Sequence, residues 1–322
     1  VLTYLTRRIL LSIPLLFAVV TLLFILVELS PGNAADKFFT PETPPEVREL
    51  IEKKWGLDRP AGERYVLMMR NLLLGDFGRS ITQERPVMDI IAQALPNTIV
   101  LGAVTLLMVF LVGILVGTLQ AVRRHSWIDG ALSGATLFLY SMPEFWLALM
   151  LMLVFTLKVR WLPSSGMVDA VMHDRMPPLA QLKDHVVHII LPGIALGVAY
   201  AGGVARYMRS SLLEVIGQDY VRTARAKGLP ERVVVFRHAL RNALIPIVTL
   251  MGLSLPGLFS GAVVVETIFA WPGMGRQIIA AIFTQDLPMM TACFFFFAIL
   301  VVAGNLLADM LYAAVDPRIR FS

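Results

Sequence analysis

The sequence predicts an all-α integral membrane protein with six transmembrane helices and a helical loop domain after the first of them. Three observations carry this. Of 322 residues, 57% are hydrophobic and only 16% are charged, with a mean hydropathy of +0.72; soluble domains are about 45–50% apolar and about 25% charged. Windows of about 20 apolar residues, the length that crosses a bilayer, recur six times. The polar segments between them carry helix start and stop signals rather than the alternation of strands. Such a composition excludes a cytosolic enzyme, a nucleic-acid-binding domain and a disordered chain. One cysteine, Cys293, excludes an internal disulfide and any multi-cysteine metal cluster.

The first span is predicted at Ile9 to Leu29, behind Arg7 and Arg8. Its apolar run outlasts the h-region of a signal peptide, about 7–15 residues, so it reads as an uncleaved anchor. Next comes a loop over residues 30–98, too long for a mere connector. Within it, Thr43-Pro44-Pro45-Glu46 forms a capping box, and Val47, Leu50, Ile51 and Trp55 follow at helical spacing to Gly56. A second helical pattern runs from Ala61 to Leu74 and stops at Gly75, and a third from Pro86 to Leu95. The remaining spans are Ile99 to Val122, Ala131 to Leu157, Ile189 to Ala205, Ala243 to Val265 and Met289 to Val315.

Pro14, Pro143, Pro192, Pro246 and Pro256 fall in spans, where each removes a backbone donor and can kink its helix. Glycines four apart, Gly113/Gly117, Gly193/Gly197 and Gly257/Gly261, have the spacing that lets helix backbones approach closely. Trp127, Trp161 and Trp271 flank spans and read as interface anchors.

Charge distribution sets the orientation. With the N-terminus inside, the inner segments hold 14 Lys and Arg in 60 residues, and the outer segments hold 14 in 123. Acids sharpen the contrast, giving +9 inside and −1 outside, with Glu28, Glu144 and Asp309 within spans. The positive-inside rule therefore places both termini in the cytoplasm. The expected organisation is an N-terminal segment and first span over 1–29, an extracytoplasmic helical loop over 30–98, a transmembrane core over 99–315 and a cytoplasmic tail over 316–322.

The inner loop 206–242 differs from the others: it holds eight basic residues in 37 and has its own helix signals. Asp219 can cap a turn that runs through Tyr220, Val221, Arg222, Thr223, Ala224, Arg225, Ala226 and Lys227, and Gly228-Leu229-Pro230 ends it. A short helix held between two spans and stopped by a sharp turn suits insertion into a groove. An ordinary basic cytoplasmic loop has the same composition.

Arg222 to Gly228 resembles the cytoplasmic loop motif of permease subunits of binding-protein-dependent ABC importers, in the dipeptide, oligopeptide and nickel branch. Further matches follow in order along the chain: Pro31-Gly32, Trp55 to Pro60, Gly75 to Ser80, Tyr140 to Trp146, Arg209 to Val215, His238 to Ala243, Glu266 to Gly275 and Asp316-Pro317-Arg318. The chain departs from the broader importer motif in two places, with Leu240-Arg241 where that motif has Leu-Pro and Arg222-Thr223 where it has Glu-Ala.

The resemblance implies a type I ABC importer permease that alternates between inward-open and outward-open states in a bacterial or archaeal cytoplasmic membrane. Its implied partners are a second, related permease, two ATP-binding subunits, an extracytoplasmic peptide-binding protein and the lipid bilayer, with no nucleic acid. It implies that Tyr220 to Leu229 form a coupling helix seated on an ATPase subunit, within a coupling loop that begins at Asp219. Ala224 and Gly228 would then permit close approach, and Arg222, Arg225 and Lys227 would pair with acids on the groove rim. The chain has no Gly-x-x-x-x-Gly-Lys-Ser/Thr sequence to cradle phosphates. It is therefore expected to bind no cofactor and to be no enzyme, with ATP and Mg on the partner ATPases.

Within the membrane, Glu144 beside Pro143 and Tyr140 marks a candidate translocation path, because an ionisable group in a span is costly unless it works. The other reading is a hydrogen-bonded glutamate that fixes the kink. His185 and His188, three apart and beside Asp184, could ligate a divalent metal, although no further Cys or His lies nearby in sequence. The implied cargo is di- or oligopeptides, with nickel and oligosaccharides as alternatives within the branch. A secondary transporter would want paired ionisable groups in repeated halves, and no such repeat is visible.

Overall fold

The computed structural model describes residues 2–30, 44–56 and 58–315. Pro31-Gly32, Thr43 of the capping box, Leu57 and the tail with Asp316-Pro317-Arg318 lie outside them. Among the described residues the regular structure is helical apart from one isolated bridge, Arg79 to Pro86. In order the helices are α1 (Leu2–Glu28), α2 (Pro45–Trp55), α3 (Ala61–Leu73), α4 (Val87–Val122), α5 (Trp127–Ser141) and α6 (Glu144–Leu151), which continues as a π turn (Met152–Lys158). Then follow α7 (Pro178–Ile216), α8 (Asp219–Ala226), α9 (Glu231–Val233), a π turn (Val234–Ala239), α10 (Leu240–Ala243), α11 (Ile245–Ile268), α12 (Met274–Thr284) and α13 (Leu287–Val315).

Helices α1, α4, α7 and α13 are each long and apolar enough to cross a membrane. The pair α5 and α6 passes the same test together but is bent by 106°. Among the described residues that makes up to five crossing segments by length and composition where the sequence predicts six; α11, 24 residues whose one ionisable side chain is Glu266, lies where the remaining span was expected. The bend replaces the single continuous span expected at Ala131 to Leu157. Its cause is local: Pro143 has no N–H to donate, and the residue before a proline is driven out of the helical region, as Met142 shows with φ −77° and ψ 136°. Pro246, by contrast, lies in the first turn of α11, where the missing N–H costs nothing.

Two further differences concern helix extent. The pattern from Pro86 to Leu95 is not a separate loop helix; it is the first part of α4, 36 residues or about 54 Å long at 1.5 Å per residue. Helix α12 lies in a segment read only as an outer loop.

The chain forms two compact units. One comprises residues 1–98 and 272–302. In it Glu28, counted above as a charge within a span, ends α1 and receives both its hydrogen bonds from Arg64 Nη2 at 2.6 Å. The Tyr65 ring packs on Phe24 at 5.4 Å, and its hydroxyl lies 2.9 Å from Thr21 Oγ1, so α3 is docked along α1. The loop 75–86 is pinned at its centre. Buried Asp286 accepts from Ser80 Oγ at 2.5 Å, from Thr82 N at 3.1 Å and from Met289 N at 3.2 Å. Phe77 stacks on Phe295 and Phe296 at 5.5 and 5.6 Å.

The other unit comprises residues 99–271 and 303–322. Its centre is α7, and the three glycine pairs show how it is packed. A Cβ on Gly113 would fall 2.6 Å from Val204 Cβ, and one on Gly117 would collide with the Ala205 carbonyl. On α7 itself, Gly193 and Gly197 receive Met108, Thr105 and Val109 of α4. Gly257 and Gly261 of α11 face Tyr200 and Leu196. Close backbone approach of this kind replaces the hydrophobic effect as the source of helix association in lipid. Trp271 is not an interface anchor: it is 1% exposed within the core of this unit, whereas Trp127 and Trp161 are 81% and 74% exposed.

Candidate coupling and translocation sites

Helix α7 ends at Ile216, Gly217 and an extended Gln218 follow, and α8 begins at Asp219, with Gln218 rather than Asp219 in the capping position. The helix is strongly two-faced. Val221 and Ala224 are buried in the core cluster that also holds Met208, Leu212, Val234 and Ala239. Arg222, Thr223, Arg225, Ala226, Lys227, Gly228 and Leu229 are all exposed. The small Ala224 side chain therefore permits close packing of α8 onto its own bundle and is not available to a partner. On the outward face the small residues are Ala226 and Gly228.

Gly228 has φ +75°, a left-handed conformation that ends the helix at little cost only for glycine. No atom lies within 4 Å of where its Cβ would be, so its environment is open.

The cations on this face differ in their engagement. Arg225 donates from Nε to Glu231 Oε2 at 3.0 Å and from Nη2 to Oε1 at 2.6 Å, a bidentate pair that clips α8 to the start of α9. That guanidinium holds the Glu231 carboxyl below its ordinary range. Arg222 reaches Asp219 at 3.4 Å, with both side chains largely exposed, which leaves it loosely held. Tyr220 Oη accepts from Asn242 Nδ2 at 2.7 Å, and Ser211 Oγ donates to the Ala243 carbonyl at 2.9 Å, tying α8, α10 and α7 into one piece. Sequence reasoning missed a second brace. Arg209 forks onto Asp129 with two 2.9 Å bonds, from Nε to Oδ1 and from Nη2 to Oδ2.

In the membrane, Glu144 is the first residue of α6, immediately after the break. Its Oε1 is buried with no hydrogen-bond partner. A Cβ on Gly261 would lie 3.0 Å from both carboxylate oxygens, so the carboxylate rests on bare α11 backbone. Pro143 caps α6 and is exposed. Tyr140 lies beneath the Arg206 guanidinium, 4.5 Å from its ring centroid. The three residues singled out by sequence thus all bracket one helix break, beside the Gly257/Gly261 face of α11.

The two histidines have different partners. His188 Nδ1 lies 3.0 Å from Asp184 Oδ1, while His185 packs edge-on against His173 at 4.8 Å, and its Nδ1 is buried without a partner. His173 takes the other Asp184 oxygen at 2.7 Å. Among the described residues no three His, Cys, Asp or Glu side chains are grouped to hold a metal ion. The nearby Asp169 carboxyl is held below its ordinary range by the backbone N–H groups of Met172 and Val171, each at 2.9 Å.

The model of the binding-protein-dependent transport system inner membrane component matches residues 110–321, and the companion model for its N-terminal part matches residues 1–102. The chain belongs to this family. It is a multi-pass permease of the inner membrane that works within an ABC importer complex.

An oligopeptide transport system permease protein of Bacillus subtilis is 39% identical over 319 residues, covering 99% of both chains. A dipeptide transport system permease protein of Alkalihalophilus pseudofirmus is 36% identical over 335 residues, covering 99% of this chain and 100% of its own. A glutathione transport system permease protein of Escherichia coli is 37% identical over 320 residues, covering 99% of both. Among solved structures, an inward-facing methionine ABC transporter shares the fold with a TM-score of 0.56 at 21% identity, over 72% of this permease and 98% of that chain.

Proposed function

We propose that this permease moves di- or oligopeptides across a bacterial or archaeal cytoplasmic membrane, driven by ATP hydrolysis on separate subunits. The observation that carries the mechanism is the two-faced α8: Val221 and Ala224 weld it to the bundle, and a rim of exposed cations ends in a left-handed glycine. Force applied to such a helix passes directly into α7 and α10, to which Tyr220 and Ser211 tie it. Relatives spanning the full length and named for oligopeptides, dipeptides and glutathione support the cargo class. They do not favour the nickel alternative.

The full assembly is this chain with a second related permease, two ATPase subunits holding ATP and Mg, and an extracytoplasmic peptide-binding protein. The termini and α8 face the cytoplasm, as the excess of Lys and Arg in those segments favours, and the loop 30–98 faces the binding protein. Glu144, Tyr140 and Pro143 flank the path at the break between α5 and α6, where a helix interrupted by proline can change its angle without losing further hydrogen bonds.

The test is accumulation of labelled tripeptide in cells carrying the whole system. Uptake that stops when the ATPases are inactivated supports the reading. Uptake that persists without them and collapses with the proton gradient would instead identify a secondary transporter.

A further inference from the structure

Beside α8 lies a concavity of about 640 Å³ lined by Tyr220, Arg237, His238, Arg241, Asn242 and Ile245. Its chemistry is one-sided. Arg225 and Arg209 have acidic partners within this chain, but no carboxylate lines this hollow. Arg237 and Arg241 are exposed, and neither their side chains nor that of His238 has a hydrogen-bond or ion-pair partner among the described residues. The π turn over Val234–Ala239 runs directly into α10. Positions 237, 241 and 245 then follow at one-turn intervals, as do 238 and 242, so two guanidinium groups are stacked on one face. Like charges at that spacing repel, and an anion held between them turns that repulsion into attraction. Asn242 donates to Tyr220 Oη, which leaves the phenol proton free to donate into the same space.

The depth of the hollow narrows the choice of anion. Ile245 is the first residue of α11, and 43% of it is exposed. Cations therefore sit on the polar side and an aliphatic side chain on the side that enters hydrocarbon. Tyr220 and Phe236 are also exposed close by. Aromatic and basic side chains together at the end of a span are the composition of the headgroup layer, and basic pockets at the ends of spans hold anionic headgroups.

The geometry points to a binding site for the phosphate of an anionic phospholipid, gripped by Arg237 and Arg241 with its acyl chain along Ile245. Occupied, it fastens the π turn, α10 and Tyr220 to the bilayer and gives the α8 segment a fixed support.

The test uses the assembled transporter, purified and placed in vesicles of phosphatidylcholine with or without phosphatidylglycerol, with bound lipid read by native mass spectrometry. Arg237→Gln/Arg241→Gln is expected to reduce retained phosphatidylglycerol about thirtyfold, the combined effect of two basic side chains at a charged membrane surface. Arg237→Lys/Arg241→Lys is expected to keep most of it, which separates loss of charge from misfolding. Inorganic phosphate at equal concentration should not displace the lipid. Unchanged retention in the glutamine variant overturns the proposal. Displacement by inorganic phosphate overturns it in favour of a soluble anion. Loss of ATPase co-purification with lipid retention intact overturns it in favour of a protein contact. None of these results depends on which cargo is carried, so failure here leaves the peptide reading standing.

Discussion

The loop 75–86 and the segment 219–242 both stand out in the sequence as polar, glycine-punctuated stretches, yet they are anchored by opposite means, the one through a buried polar network and the other through buried apolar side chains. In the first, one polar group turns inward: Ser80 and its partner Asp286 are each 2% exposed and satisfy one another along with two backbone donors, while Asp76, Arg79, Gln83, Glu84 and Arg85 of the loop stay exposed. In the second, the apolar groups point inward and the polar ones face out, some of them unpaired. Burial of a polar network specifies architecture, because every member must find a partner. Exposure of unpaired cations on a rigid element leaves binding capacity for something else. Motif density alone does not separate the two cases; the direction of the side chains does.

Substitutions should divide along the same line. The largest effect is expected from Asp286→Ala, which strands the Ser80 hydroxyl and the N–H groups of Thr82 and Met289. A loss of about 4 kcal/mol is expected, read as a collapse of thermal stability in detergent. Near-normal stability would mean that the loop is held some other way.

Ala224→Leu forces a larger side chain into a buried position and should cost about 2 kcal/mol, lowering stability and ATPase co-purification together. Gly228→Ala places a Cβ in open space but at φ +75°, so about 1 kcal/mol is expected. Its mark should be reduced uptake at normal membrane insertion.

The smallest effect belongs to Arg225→Gln. The pair with Glu231 is largely exposed, so no more than about 0.5 kcal/mol is at stake. Because the Glu231 carboxyl titrates below its unfolded value, this contribution is present at neutral pH and fades as pH falls through the folded carboxyl's range. A flat difference between wild type and variant across the acid range would remove the ion pair from the account.

Much of this was legible in the sequence, and the misses have physical reasons. Span positions follow from composition, and the break at Pro143 follows from a proline whose consequence is local. The short helix after Asp219 is framed by its own stop at Gly228-Leu229-Pro230. Helix α4 was cut short because Pro96 follows Leu95 and reads as a helix stop, whereas in the structure α4 runs through it. Helix α12 could have been found from Met274, Ile278 and Ala281, which lie three or four apart and are buried.

Partnerships were invisible. Ser80 and Asp286 are 206 residues apart and Arg209 and Asp129 are 80 apart, and one sequence has no period that links such pairs. For Ala224 the expectation had the wrong face. Small residues suit tight packing on either side, and only the position of the bundle decides which.

The most direct test of α8 as the coupling surface compares Ala226→Cys, which points outward, with Ala224→Cys, which points inward. The one native cysteine, Cys293, is buried and leaves the background clean. In the assembled transporter the thiol at 226 should cross-link to an ATPase subunit, with a yield that changes when ATP is added, while the thiol at 224 should not react. Cross-linking at 224, or none at 226 in a complex that still transports, would contradict the claim that this face carries the ATPase.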